Sequence, residues 1–213
     1  MKKYILGVKI DDVNMNEALE IVHGWLQESK KRYVVTPNPE FIMTAQKDLD
    51  FKKILNDADL SIPDGAGLKL SGKVENTVPG VDFMEKLVER SSDWGVTIGL
   101  LGAAPGVADK TAERLKKKYS GIKINFAKAD ILFVAFGHPK QEKWIVQNLP
   151  KLSVKVAMGV GGSFDYISGK IPRAPKWLRK LGLEWLFRLI IQPWRIKRQI
   201  KLVKYLWLLT ISS

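Results

Sequence analysis

Val96-Thr-Ile-Gly-Leu-Leu-Gly-Ala-Ala-Pro-Gly106 decides the fold. Seven residues, almost all apolar, read as a strand buried on both faces. A glycine-containing loop then leads straight into a charged helical pattern that ends near Tyr119. Outward from this unit the arrangement repeats. Arg32–Thr36, Asp59–Ile62, Ile131–Phe136 and Val154–Val160 are short apolar strands, each followed by proline, glycine or polar residues and then by a helical pattern. Strands alternating with helices predict an α/β fold, Rossmann-like, with a mainly parallel sheet flanked by helices. Upstream, Tyr4–Ile10 reads as one strand, and Asn14-x-x-Glu17 as a capping box opening a helix to about Glu28. Helical pattern continues through Phe41, Ile42 and Ala45, through Phe51, Ile54 and Leu55, over Gly67–Ser71, and over Val81–Asp93.

One connection conflicts with this scheme. Ile122–Phe126 and Ile131–Phe136 both look like buried strands, yet only Ala127-Lys-Ala-Asp130 separates them. A parallel pair needs a crossover of about a dozen residues or more. The pair is therefore antiparallel, or one segment is not a strand, or chain is missing.

The 213 residues suffice for one ordinary domain. Cysteine is absent, which removes thiolate metal sites, thiol nucleophiles and disulfides, and two histidines cannot build a His-rich zinc site. The net charge is +13 and unevenly placed. From Lys170 to Ser213 stand eleven Lys or Arg and one acid, Glu184, a net of +10, whereas the first 169 residues carry only +3. Four of seven tryptophans, Trp177, Trp185, Trp194 and Trp207, lie in the same tail. The chain accordingly divides into an α/β catalytic body, 1–169, and a basic amphipathic helical appendage, 170–213. On a helical wheel Ile196, Ile200, Val203 and Trp207 cluster, with Lys197, Arg198, Lys201 and Lys204 on the other side. Such a tail fits an anionic membrane surface. Its alternatives are nucleic acid, supported by the basic charge alone, or an ordinary helix docked on the core. No run of about 18 apolar residues spans a bilayer. The N-terminus has no signal-peptide pattern, so the body is expected in the cytoplasm.

Ligands of open α/β sheets bind outside the carboxyl ends of the strands. Thr36-Pro-Asn38, Asp64-Gly65, Gly102–Gly106, Gly137–Gln141 and Gly161–Asp165 all fall at that edge and together suit a nucleotide-sugar pocket. The Gly99, Gly102, Gly106 spacing is not the dinucleotide fingerprint, which argues against a nicotinamide-dependent oxidoreductase. Asp64 is the sharpest candidate, a strand-tip carboxylate able to act as general base; its alternative is a helix N-cap. Thr36 and Asn38 are candidates to hydrogen-bond a sugar or phosphate, or else turn residues beside two prolines. Gln141 is a candidate ligand contact or a solvated first-turn residue. Asp165 is a candidate acceptor for ribose or uracil, or a cap. Gly102, Gly137, Gly161 and Gly162 would let the backbone approach a ligand. Glu40 and Glu142 read as helix-start charges. Arg188, Arg195 and Arg198 could meet a diphosphate through planar forks.

Taken in order, these motifs resemble the WecG/TagA/CpsF family of bacterial glycosyltransferases. The stretches that carry the resemblance are Thr36-Pro-Asn-Pro-Glu40, Asp57-Ala-Asp-Leu-Ser-Ile-Pro-Asp-Gly65, Gly99–Gly106, Ala129–Ile145, Gly159-Val-Gly-Gly-Ser-Phe-Asp165 and Arg173–Arg188. The resemblance implies an inverting transfer of N-acetylmannosamine from its UDP donor to undecaprenyl-diphospho-N-acetylglucosamine, in the teichoic acid branch of the family; other UDP-sugars stay open. It places Asp64 as base, Thr36, Asn38 and Gln141 in the pocket, and Arg188, Arg195 and Arg198 as appendage arginines. No DxD motif is present, in line with a metal-independent enzyme that needs no cofactor. The implied partners are the UDP-sugar, a polyprenyl-diphosphate acceptor and an anionic membrane surface, with no nucleic acid, and the sequence is compatible with a homo-oligomer. The enzyme would be peripheral on the inner face of the cell membrane. Two departures stand out. Where the family has a Glu-Arg-Val segment, this chain reads Glu75-Asn-Thr-Val-Pro-Gly-Val-Asp82, without the arginine. Members also usually carry a longer segment before the Ala129-Asp130 motif, so the numbering is expected to conceal missing chain near Phe126–Ala129 unless that segment was deleted.

Overall fold

A computed structural model describes residues 2–211; the side chains of Lys180, Arg195, Lys197, Arg198, Gln199 and Ile200 lie outside the described set. The chain opens with β1 (Lys2–Ile5) and β2 (Val8–Asp11), paired antiparallel. The segment expected as one strand is thus a hairpin. Leu6 and Gly7 both take positive φ, 48° and 74°, the backbone of a two-residue hairpin turn whose twist matches the strands. Leu6 carries no turn signature, which is why the sequence reads straight through it. Helix α1 (Met15–Leu26) starts at the expected capping box: Asn14 Oδ1 accepts the Asn16 and Glu17 amides, and Glu17 accepts the Asn14 amide.

The remaining strands form one sheet, all parallel. They are β3 (Arg32–Val35), β4 (Leu60–Ser61), β5 (Thr97–Gly102), β6 (Lys123–Ile124), β7 (Ile131–Ala135) and β8 (Val156–Gly159), in the spatial order β4-β3-β8-β7-β5-β6. The helices that follow these strands are α2 (Pro39–Ala45), α3 (Leu49–Asp57), α4 (Gly80–Ser91), α5 (Val107–Lys118), α6 (Lys140–Asn148) and α7 (Ser163–Ile167); Ala66–Ser71 is a 3₁₀ turn. Alternate strand residues divide between the two faces, as the pleat requires. Val34, Ile98, Phe133 and Met158 pack with α1, α4 and α5. Leu132, Val134 and Ala157 pack with Ile145 and Leu149 of α6 and its end. A further core joins Ile5, Val8 and Ile10 of the hairpin to Phe41, Phe51 and Leu55.

The connection between β6 and β7 bears on the conflict in the sequence. Both segments are strands and both run parallel to β5, so neither an antiparallel pair nor a segment that is not a strand accounts for the short connection. They are not neighbours: β6 lies on one side of β5 and β7 on the other. β6 ends with Ile124 opposite Ile98, and β7 begins with Ile131 opposite the same residue. No return along the strand is needed, so a handful of residues is enough. The chain crosses the face of β5 at Gly99, where a Cβ would stand 2.8 Å from the Ala129 Cβ and 2.9 Å from Leu132 Cδ1. Asn125 N–H donates to Ile98 O, and Asp130 N–H to Thr97 O, both at 2.9 Å, fixing each end of the crossing.

The appendage forms α8 (Lys176–Lys180), α9 (Glu184–Ile191) and α10 (Ile196–Ile211). Helix α10 lies against α2. Tyr205 is fully buried in the core shared by the hairpin, α2 and α3, with Leu202, Leu208 and Leu209 beside it. The apolar face expected from the helical wheel is a different one. Val203 is 67% exposed and Trp207 62% exposed. Helix α10 therefore carries two apolar stripes, one docked and one open. No helix among the described residues is long and apolar enough to cross a membrane.

Candidate active site

The tips of β4, β3, β8 and β7 lie side by side because their strands are neighbours in the sheet. At the β4 tip, Asp64 donates its backbone N–H to Pro37 O at 2.9 Å, which ties it to the loop after β3. Its Oδ1 accepts the Gly80 N–H at 3.2 Å. Gly80 opens α4, so this carboxyl caps a helix distant in sequence, not the 3₁₀ turn that follows it, whose N-cap is Gly65. Asp64 keeps part of its surface exposed. Burial pushes the carboxyl up to about 6; the Gly80 amide opposes this, Glu184 adds to it, the Asn38 side chain opposes it, and Asp82 adds again. A carboxyl near that value is ionised at neutral pH yet more basic than an ordinary aspartate.

Thr36 is buried against Gly80, where an added Cβ would meet its methyl group at 3.3 Å. Asn38 is the N-cap of α2, its Oδ1 accepting the Glu40 and Phe41 amides at 2.9 and 3.1 Å. Turn chemistry and proximity to Asp64 coexist there: the carbonyl end caps the helix while the side chain flanks the carboxyl.

The β7 and β8 tips are joined by Gln141. Its Oε1 accepts the Gly137 N–H at 3.1 Å and the Gly161 N–H at 2.9 Å, and its Nε2 donates to Glu142 Oε1 at 2.7 Å. Gln141 is buried, not a solvated first-turn residue. Its carbonyl is committed to the two loops, so the geometry gives it a positioning role. The Gly137 and Gly161 amides are committed likewise and do not face a ligand as donors. Gly102 serves packing, since a Cβ would stand 2.7 Å from the Phe136 ring. Gly162 lets Arg188 approach: an added Cβ would lie 2.8 Å from its guanidinium. The same guanidinium lies over the Tyr166 ring, 4.9 Å from its centroid, and its Nε finds no acceptor among the described residues. Asp165 does not cap α7; its carboxylate lies 3.7 Å from Lys170 Nζ. Arg195 and Arg198 fall outside the described side chains.

The roles of five residues of this region, Arg173, Asp82, Glu184, Arg179 and Glu142, escaped the sequence reading. Arg173 binds Asp82 with both terminal nitrogens, at 2.6 and 2.8 Å, and reaches Glu184 at 3.5 Å. Arg179 adds a longer contact to Asp82, 3.6 Å. These arginines clamp the start of the appendage to the first turn of α4, two residues from the amide that holds Asp64. Glu142, read as a helix-start charge, is fully buried and pushed by burial up to about 7. The signal was present: Glu142, Ile145 and Leu149 follow the helical period, which puts residue 142 on the inward face. Among the described residues no three His, Asp or Glu side chains are grouped to hold a metal ion.

A parallel α/β sheet with a basic carboxyl and the appendage residue Arg188 at its carboxyl edge presents them where open α/β folds bind their ligands. The sequence matches the glycosyl transferase WecG/TagA/CpsF family model over residues 3–127 and 122–213, two segments that overlap at the β6–β7 connection, where a longer family segment was expected. The chain belongs to that glycosyltransferase family. It is 33% identical over 195 residues to a Bacillus subtilis protein, covering 81% of this chain and 76% of the relative. It is 30% identical over 219 residues to a Staphylococcus aureus protein, covering 91% and 86%. Both relatives are named N-acetylglucosaminyldiphosphoundecaprenol N-acetyl-beta-D-mannosaminyltransferase.

Proposed function

We propose that this glycosyltransferase moves N-acetylmannosamine from UDP to the sugar hydroxyl of undecaprenyl-diphospho-N-acetylglucosamine, with inversion, in the building of wall teichoic acid. The single observation that carries the mechanism is the partly exposed Asp64 carboxyl held at the strand tips by the α4 amide. An acceptor hydroxyl is a poor nucleophile at neutral pH. As its oxygen attacks the anomeric carbon, Asp64 takes the proton; the bond from that carbon to the diphosphate breaks, and UDP leaves with the electron pair. Attack opposite the departing group inverts the anomeric centre. Arg188, with Arg195 and Arg198 of the same appendage, would offset the charge growing on the diphosphate. No step calls on a metal ion or cofactor.

The acceptor is anchored in lipid, so the enzyme has to work at the bilayer surface. The open stripe of α10, with Trp194 and Ile190 also exposed, supports a peripheral seat on the anionic cytoplasmic face. Basic charge interleaved with exposed tryptophan and aliphatic groups favours lipid over nucleic acid. Product analysis with UDP-N-acetylmannosamine, other UDP-sugars and a short-chain lipid-diphosphate acceptor tests the reading. An inverted N-acetylmannosaminyl product is expected. Transfer of a different sugar alone would replace the donor assignment, and no transfer from any UDP-sugar would end the reading.

A further inference from the structure

Glu142 is fully buried, and one of its oxygens, Oε2, has no hydrogen-bond partner among the described residues. A buried carboxyl left half-satisfied destabilises the fold, so its retention asks for a purpose. The other oxygen, Oε1, accepts the Gln141 Nε2 proton at 2.7 Å. That bond decides which way the Gln141 amide faces. With Nε2 directed at Glu142, the amide carbonyl is left to collect the Gly137 and Gly161 N–H groups. A flipped amide would set its NH₂ against two N–H donors and release both loops. The strand beneath is shaped to the same pair. At Gly159, the last residue of β8, a Cβ would stand 2.6 Å from Gln141 Nε2 and 2.8 Å from Glu142 Oε1.

We infer that Glu142 is a positioning residue: through the Gln141 amide it locks the loops after β7 and β8 into the arrangement that receives the sugar-nucleotide donor, with Gly159 leaving the room the lock requires. The inference rests on reading those loops as the donor site. Burial also raises the carboxyl toward its neutral form, in which Oε1 still accepts. The active oxygen is therefore the acceptor, and negative charge is not required.

The test uses the full chain, with UDP as the probe. Two readouts are taken: amide hydrogen exchange at Gly137 and Gly161 without ligand, and UDP affinity by calorimetry. In Glu142→Leu, which fills the space but removes the acceptor, faster exchange at both amides and a three- to tenfold (roughly) weaker UDP affinity are expected, the scale of one lost hydrogen bond. Gly159→Ala should reproduce that pair of changes from the opposite side of the contact. Glu142→Gln keeps an acceptor oxygen and should retain both protection and affinity within about twofold. Unchanged exchange at Gly137 and Gly161 in a folded Glu142→Leu would overturn the inference, whatever the ligand. So would loss of protection in Glu142→Gln, since charge would then be the requirement. If Glu142→Leu does not fold, Gly159→Ala and Glu142→Gln decide by the same readouts. Wild-type protein that shows the protected amides but binds no UDP would fail the donor-site reading and leave the lock itself standing.

Discussion

Arg173 grips Asp82 with both terminal guanidinium nitrogens, at 2.6 and 2.8 Å, and so fastens the appendage to the helix whose first amide holds the candidate base. The same arginine reaches Glu184. Asp82 and Glu184 are the two acids that push the Asp64 carboxyl up electrostatically. Arg173 therefore does more than anchor: it pairs with the two acids whose charges add to the rise of the Asp64 carboxyl.

Removing that pairing has a definite sign. In Arg173→Gln, Asp82 and Glu184 lose their shared cation, the ionised form of Asp64 becomes less favourable, and its titration moves above the present value of about 6. A general base works only when deprotonated, so the acid limb of the kcat/KM profile should move to higher pH by about half to one pH unit. Arg179→Gln, whose contact to Asp82 is longer at 3.6 Å, should shift it less. The pH dependence of initial rates for the three proteins provides the check; coincident acid limbs would detach Arg173 from the base.

Asp64 should also be a stability liability. Its folded value lies above the ordinary carboxylate value of 3.8, so the folded state holds the proton more tightly than the unfolded chain. The group's contribution is most favourable below pH ~4 and is lost as pH rises to ~6, then stays constant. Asp64→Asn keeps an oxygen for the Gly80 amide and removes that loss. It should be more stable than wild type above pH 6 by up to about 3 kcal/mol, an upper bound, with the gap closing toward pH 4. Urea unfolding at a series of pH values measures this; a gap independent of pH would refute the assigned titration.

The two stripes of α10 should separate folding from membrane binding. Tyr205→Ala empties a fully buried site and should cost about 3–5 kcal/mol. Trp207→Ala or Val203→Asp, on the open stripe, should change stability by no more than about 0.5 kcal/mol. Those open-stripe variants should lower co-sedimentation with anionic vesicles several-fold. Equal vesicle binding by wild type and Val203→Asp would remove the open stripe from the membrane contact.

The short crossing over β5 depends on the missing side chain at Gly99. Gly99→Ala should destabilise the chain by about 1–3 kcal/mol, because its methyl group would meet Ala129 and Leu132 below 3 Å. Ala129→Gly in the same chain should recover part of the loss, while its own effect on wild type is smaller. A double-mutant cycle on denaturant midpoints reads the coupling; additive effects would mean that the crossing yields elsewhere.

Much of the fold was legible because buried parallel strands announce themselves. Val96–Gly102 and Ile131–Phe136 are nearly unbroken apolar runs, and the Asn14–Glu17 box marks its helix start by local chemistry alone. The hairpin was hidden because Leu6, an apolar residue in a left-handed turn, looks like strand interior. The β6–β7 pair was taken as neighbours because sequence order suggests adjacency, whereas β5 lies between the two strands. At the site, Asp64 and Asn38 stood out as polar groups at strand tips. Glu142 and Arg173 did not: what each does depends on partners far along the chain or on burial, and neither leaves a local pattern except the inward helical period of Glu142. The exposed stripe of α10 followed from periodicity, but the docked stripe around Tyr205 depended on a core that only tertiary packing assembles.

The most direct test of Asp64 as base is the turnover of Asp64→Asn with the UDP-sugar and a short-chain lipid-diphosphate acceptor, measured beside its affinity for UDP. The expected result is UDP binding within about threefold of wild type with turnover lowered about 10²–10⁴-fold. Turnover near the wild-type rate with intact UDP binding would contradict the assignment.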